Sequence, residues 1–312
     1  MRKTKNYENR VTTVFYPVVL LTIFWLPDFL GFSRMETSMD SRLLAMGVAF
    51  VNGLVLYALG QRFLPLPRCG YLILWFYLLF VFAPPQTRTF SFAFLSALLS
   101  VSGIFALFVF ARGKGEIAPL FWAALCTTLA GLFYWPGFIM VVVAAAGTMI
   151  LRTFSFRRGV IFLGGILLPL GGLIFYRFLV FEDAWIWAEG ISDTLRQIEP
   201  RLMFGTPVDL FLGGVVAYLL FRSLLRMIRL AKKANALHSR ALTTIILMLF
   251  LCCLVAVCYA HIIYEFLPLL ALPISACMAC YFCSERINRR MKVEFFVLLL
   301  ALLIYQIADL IR

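Results

Sequence analysis

Long apolar runs separated by short polar clusters make up almost the whole chain. Most runs approach the ~20 residues that a helix needs to cross a bilayer, and they are continuous rather than alternating, which favours helices over a β-barrel. The pattern predicts an all-α polytopic membrane bundle of about eleven transmembrane helices, within a range of ten to twelve, with residues 1–312 as one transmembrane domain. The predicted spans lie near 12–31, 43–60, 70–84, 90–111, 117–134, 136–151, 159–180, 207–223, 241–260, 262–282 and 293–311.

Composition and charge give the bundle a predicted orientation. The mean hydropathy is +0.96 and 63% of the residues are hydrophobic, whereas soluble domains are nearer half apolar. Placing the N-terminus in the cytoplasm puts most of the 28 lysines and arginines on the cytoplasmic side, as the positive-inside rule requires. The net charge of +13 is therefore interpreted as loops that face anionic lipid, and it does not indicate nucleic-acid binding.

Two connecting segments stand out from the apolar runs. Residues 181–206, with Glu189 and Asp193, place apolar side chains on one arc of a helix and acids on the other. This pattern predicts an amphipathic helix on the outer membrane surface, where an envelope protein partner could dock.

The second segment, residues 222–240, is a predicted basic cytoplasmic loop. Its Arg222, Arg226, Arg229 and Lys233 recur at helical spacing and form one stripe. Such a stripe can contact lipid head groups, or it can act only as a determinant of topology.

Acidic side chains on the predicted outer side are the first candidates for chemistry. Asp28, Glu36 and Asp40 follow the first span, and Glu189 and Asp193 lie on the predicted surface helix. Carboxylates four residues apart share a helix face and suit a general base or a divalent-cation site. The alternative is that these acids only solvate an outer loop. No motif for a resident metal is predicted.

His261 and Glu265 form a second candidate cluster, at the predicted outer turn before the tenth span. One helical turn separates them, so the carboxylate could orient the imidazole for proton transfer. Arg88 and Arg177 lie where a lipid-linked phosphate would approach, and guanidinium groups match phosphate oxygens well. The alternative for His261 and Glu265 is interfacial solvation, and the alternative for Arg88 and Arg177 is snorkelling.

The central region adds a family resemblance. It contains an LFYWPG turn at 132–137, an RTFSFRR loop at 152–158 and a helix rich in glycine and proline after that loop. In this order the motifs resemble an uncharacterised family of polytopic inner-membrane proteins of Bacteroidota-type bacteria. The resemblance implies a multi-pass location in the bacterial inner membrane and supplies no established activity.

A more distant similarity is to membrane glycosyltransferases and O-antigen-type polymerases, which use polyprenyl-phosphate-linked sugars. It implies that Asp28, Glu36 or Asp40 acts as base and that Arg88 or Arg177 holds the lipid phosphate. The chain departs from that group because it lacks a paired acid motif in its first loop and a large outer domain.

These observations lead to three functional hypotheses. The first is an enzyme or enzyme subunit of envelope glycan assembly that acts on lipid-linked sugar at the outer leaflet, and the second is a non-catalytic subunit or scaffold of an envelope complex. The third, a transporter, predicts ionisable residues at mid-membrane depth, and most of the interior spans contain none.

Overall fold

The computed structural model describes residues 39–65, 69–113, 117–151, 155–181, 207–259, 262–283 and 289–311. Over these ranges the chain forms ten α-helices and two short 3-10 turns, so the all-α prediction is confirmed for this part of the protein. The α-helices are α1 Met39–Phe63, α2 Cys69–Phe82, α3 Phe92–Arg112, α4 Ala118–Phe133, α5 Ile139–Ile150, α6 Phe156–Phe181, α7 Pro207–Lys233, α8 Ala236–Cys258, α9 Ile263–Phe282 and α10 Arg289–Ile311. The turns are Pro85–Arg88 and Trp135–Phe138.

Seven of these helices are long and apolar enough to cross a membrane, which makes the chain a multi-pass membrane protein by length and composition. The other three, α2, α4 and α5, have 14, 16 and 12 residues. The ten helices match the last ten predicted spans one by one. The first predicted span, 12–31, and residues 182–206 of the predicted surface helix lie outside the described residues.

Contacts between helix ends show which ends lie together. On one side Ser41 Oγ accepts a hydrogen bond from the backbone N–H of Phe90 at 3.1 Å. On the other side Arg240 donates to the carbonyl of Leu151 at 3.1 Å. We name the first side the carboxylate end, which holds Asp40, Arg88 and Glu265, and the second the basic end, which holds Arg62, Arg112 and Lys233.

Helix α9 forms the centre of the bundle. It packs against α1, α2, α3, α7 and α8, and 78% of its most apolar 18-residue window is buried. Pro268 and Pro273 remove backbone hydrogen bonds from the interior of α9. A membrane helix tolerates such losses where neighbouring helices shield its backbone from lipid, and α9 is shielded on nearly every side. The core of the described protein therefore forms around a helix that lipid scarcely contacts.

Small residues bring α3, α4 and α6 close together. A Cβ on Gly103 of α3 would lie 2.7 Å from Thr127 Cγ2, and one on Gly165 of α6 would lie 2.8 Å from the carbonyl oxygen of Phe121. Close backbone approach of this kind is a main source of helix association in membranes. Beyond its contact with α4, α6 is largely exposed, with 17% of its apolar window buried.

Most of the basic segment, residues 222–240, is helical and does not form the predicted loop. Helix α7 continues to Lys233 and α8 begins at Ala236, so only Ala234 and Asn235 separate the two helices. The predicted stripe of Arg222, Arg226, Arg229 and Lys233 therefore lies on the last three turns of α7. This places its first members beside α9 and α10.

Candidate functional site at the carboxylate end

The turn Pro85–Arg88 brings together elements that carry three of the predicted site residues. It contacts α1, α2 and α9, and it therefore lies between the helix that begins beside Asp40 and the helix that begins beside Glu265. Pro84 and Pro85 end α2 because proline cannot continue its hydrogen-bond ladder. The chain then turns in four residues and presents Arg88 inward.

Arg88 is held by protein groups. Its residue is 4% exposed, its Nε donates to the carbonyl of Phe82 at 3.3 Å, and its Nη2 donates to Gln306 Oε1 at 2.6 Å. Gln306 of α10 in turn donates to the carbonyl of Ala83. These bonds satisfy carbonyls that the end of α2 leaves without helical partners and tie α10 to the turn.

The hydrogen bonds of Arg88 would oppose its predicted role as a phosphate clamp. A phosphate at its guanidinium would compete with the carbonyl of Phe82 and the amide of Gln306. The observed role of Arg88 is structural, and the clamp stays a prediction.

Asp40 and Glu265 are both exposed, Asp40 in the first turn of α1 and Glu265 in the first turn of α9. Glu265 has a neighbour that the sequence analysis did not select, Tyr134. Burial, and secondly the negative charge of Glu265, raise the pKa of the Tyr134 phenol. Its hydroxyl is buried and makes no hydrogen bond to any described residue, so it stays a neutral donor at physiological pH.

Two further aromatic side chains pair at this end of the bundle. The ring of Trp135 meets that of Tyr259 edge to face, with centroids 5.1 Å apart. Burial raises the pKa of Tyr259, with a smaller effect from Cys258. In the sequence the LFYWPG turn carried only a family resemblance, and the effect of Glu265 on Tyr134 becomes visible only in the fold.

The remaining predicted residues are not assembled here. Asp28, Glu36, His261, Glu189 and Asp193 lie outside the described residues. Arg177 is half-buried near the end of α6, which packs chiefly against α4, so the structure does not place it with Asp40, Arg88 and Glu265.

Neither of the two cavities characterised in the described protein is lined by Asp40, Arg88 or Glu265. Across the described ranges no three His, Cys, Asp or Glu side chains form a group that could hold a metal ion. In comparisons with protein-family models, curated proteins and solved structures, none matched this chain.

Proposed function

We propose that this chain is a bacterial inner-membrane protein of envelope glycan assembly, acting as an enzyme or enzyme subunit on lipid-linked sugar at the outer leaflet. The observation that supports it best is the turn Pro85–Arg88, which contacts both α1 and α9 and so groups Asp40, Arg88 and Glu265 at one end of the bundle. The orientation derived from the basic residues assigns that end to the outer surface.

The proposed proton transfer needs a carboxylate that a sugar can reach. Asp40 and Glu265 are open to solvent, so either can accept a proton from a sugar hydroxyl. Of the aromatic side chains at this end, Trp135 is half-buried and keeps a surface that a sugar ring can contact, whereas the Tyr134 hydroxyl and Tyr259 are buried. A divalent cation would need ligands in addition to these two carboxylates.

The test replaces Asp40 by asparagine and Glu265 by glutamine in the full chain and measures surface glycan together with protein abundance. We expect surface glycan to fall at least about tenfold for a true base, since general-base catalysis contributes roughly 10²–10⁴-fold, while abundance stays constant. Glu116→Gln, which changes an acid between α3 and α4 in the sequence, is the matched control. Unchanged glycan in both variants would remove the catalytic role.

The second candidate, a scaffold, is favoured by the exposure of α6. Gly171 and Gly172 face open space, and Leu167, Leu168 and Phe175 are exposed along a helix with one main partner. If a partner helix docks there, Gly172→Leu lowers glycan assembly without lowering abundance, and the Asp40 and Glu265 variants have no effect. The two functions thus predict opposite outcomes for the same readout.

A further inference from the structure

An apolar groove runs along the surface of the bundle between α7 and α10. It encloses about 410 Å³, within the range of small-molecule sites. Leu210, Gly214 and Tyr218 line it from α7, and Val293 and Val297 line it from α10. All five of these residues are exposed at the bundle surface, so the groove opens sideways to whatever surrounds the helices.

The length of the groove matches one leaflet of a bilayer. On α7 its lining runs from Leu210 to Leu219, nine positions apart or about 14 Å at 1.5 Å per residue, and Arg222 lies about one turn beyond Leu219. Half of the hydrocarbon core of a bilayer is about 15 Å. A groove of this length, which ends about one turn from Arg222, can hold an acyl chain within a single leaflet.

A polar cluster closes the groove at the basic end. Glu294, which also lines the groove, accepts a hydrogen bond from Tyr281 at 2.5 Å and another from Tyr218 at 3.4 Å. Arg222 donates to the hydroxyl of Tyr281 at 3.2 Å and lies 3.6 Å from the carboxylate of Glu294. The guanidinium of Arg226 lies 5.8 Å from the centre of the Tyr281 ring.

The charges in this cluster do not balance. The cluster holds two arginines, Arg222 beside Glu294 and Arg226 over the Tyr281 ring, and the single carboxylate of Glu294. The Glu294 side chain is 13% exposed and that of Arg222 is 40% exposed, so the cation faces outward more than the anion. Further exposed cations follow on both helices, at Arg229, Lys232, Lys233, Arg289, Arg290 and Lys292.

We propose that this groove is a binding site for one anionic phospholipid of the cytoplasmic leaflet. One acyl chain lies in the groove between Tyr218 and Leu210, and the phosphate lies at the outward side of Arg222. Charge complementarity selects an anionic head group, because a zwitterionic lipid brings no net negative charge to the excess cation. The length selects a chain that ends within one leaflet rather than a longer polyprenyl chain. The site does not depend on the proposed glycan function.

Gly214 supplies a clean test because a side chain can be added there without a clash. A Cβ on Gly214 would have no atom of the described protein within 4 Å, so Gly214→Leu fills the groove and leaves the packing intact. Gly171→Leu on α6 is the matched control, since Gly171 also faces open space but does not line this groove. Arg222→Gln tests the head group separately.

The full chain is purified from membranes in mild detergent, and retained lipids are identified by native mass spectrometry. The same proteins in nanodiscs are titrated with phosphatidylglycerol, phosphatidylcholine or polyprenyl phosphate. We expect the unaltered chain and Gly171→Leu to retain one phosphatidylglycerol, Gly214→Leu to lose it, and Arg222→Gln to bind it about tenfold more weakly, as the loss of one charged hydrogen bond implies.

Three outcomes would overturn the proposal. Equal retention by Gly214→Leu and the unaltered chain would show that lipid does not occupy the groove. Equal binding of phosphatidylcholine would remove the role of the arginines. Tighter binding of polyprenyl phosphate would replace the assigned occupant with a longer lipid. Normal thermal stability of Gly214→Leu, measured alongside, separates loss of the site from loss of the fold.

Discussion

Arg88 and Arg222 are the same residue type in opposite settings. Arg88, at the carboxylate end, is 4% exposed, and its guanidinium is bonded to the end of α2 and to α10. Arg222, at the basic end, has a side chain that is 40% exposed and lies beside an open groove. An arginine that completes its hydrogen bonds within the protein stabilises the fold, whereas one that keeps an exposed side can also bind a ligand.

The largest effect that this comparison predicts is on stability at Arg88. Arg88→Ala leaves the carbonyl of Phe82 and the amide of Gln306 without their partner, at about 1–2 kcal/mol for each, so we expect a loss of about 2–4 kcal/mol. Thermal unfolding of the purified protein in detergent measures it. Arg222→Ala is the control, with an expected loss below about 1 kcal/mol because its ion pair is partly exposed. Equal losses for the two variants would contradict the distinction.

A smaller effect is expected at Glu294. Glu294→Gln removes a partner of Tyr281 and Arg222, and we expect it to cost about 0.5–1 kcal/mol, since Arg222 is partly exposed and can be solvated. Binding of phosphatidylglycerol should remain or increase, because a competing negative charge is gone. If stability stays constant while lipid binding is lost, Glu294 contacts the lipid directly and our view of the cluster is wrong.

The smallest effect concerns Tyr134. Its buried hydroxyl has no hydrogen-bond partner among the described residues, so Tyr134→Phe should leave stability unchanged or raise it slightly. The same thermal measurement applies, with Tyr77→Phe as the comparison because Tyr77 accepts a hydrogen bond from Asn52 at 3.1 Å. A clear loss at Tyr134 would mean that its hydroxyl is bonded in the folded protein.

Hydrophobic runs predicted the helices well but not their positions in the bundle. The apolar window of α6 is more hydropathic than that of α9, yet 17% of the first and 78% of the second is buried. Lipid and protein interior are similarly apolar, so hydropathy cannot separate a central helix from a peripheral one. Glycines on α6 did not show which of its faces packs against protein: Gly165 packs tightly against α4, whereas Gly171 and Gly172 face open space.

Candidate sites were harder to predict than helices. The stripe of Arg222, Arg226 and Arg229 was visible in the sequence, but the acid that meets it, Glu294, is 72 residues away from Arg222. Likewise Tyr134 and Glu265 belong to distant segments. Pairing between such segments is a property of tertiary packing, and spacing along one helix carries no information about it.

The sidedness of the bundle is the claim on which both proposals depend, and thiol labelling tests it directly. Asp40→Cys and Lys232→Cys place thiols at exposed positions of the carboxylate end and the basic end. With labelling of the unaltered chain subtracted, an impermeant maleimide should modify Asp40→Cys in intact spheroplasts and Lys232→Cys only after they are opened. The reverse pattern would contradict the assignment of the carboxylate end to the outer surface and of the lipid site to the cytoplasmic leaflet.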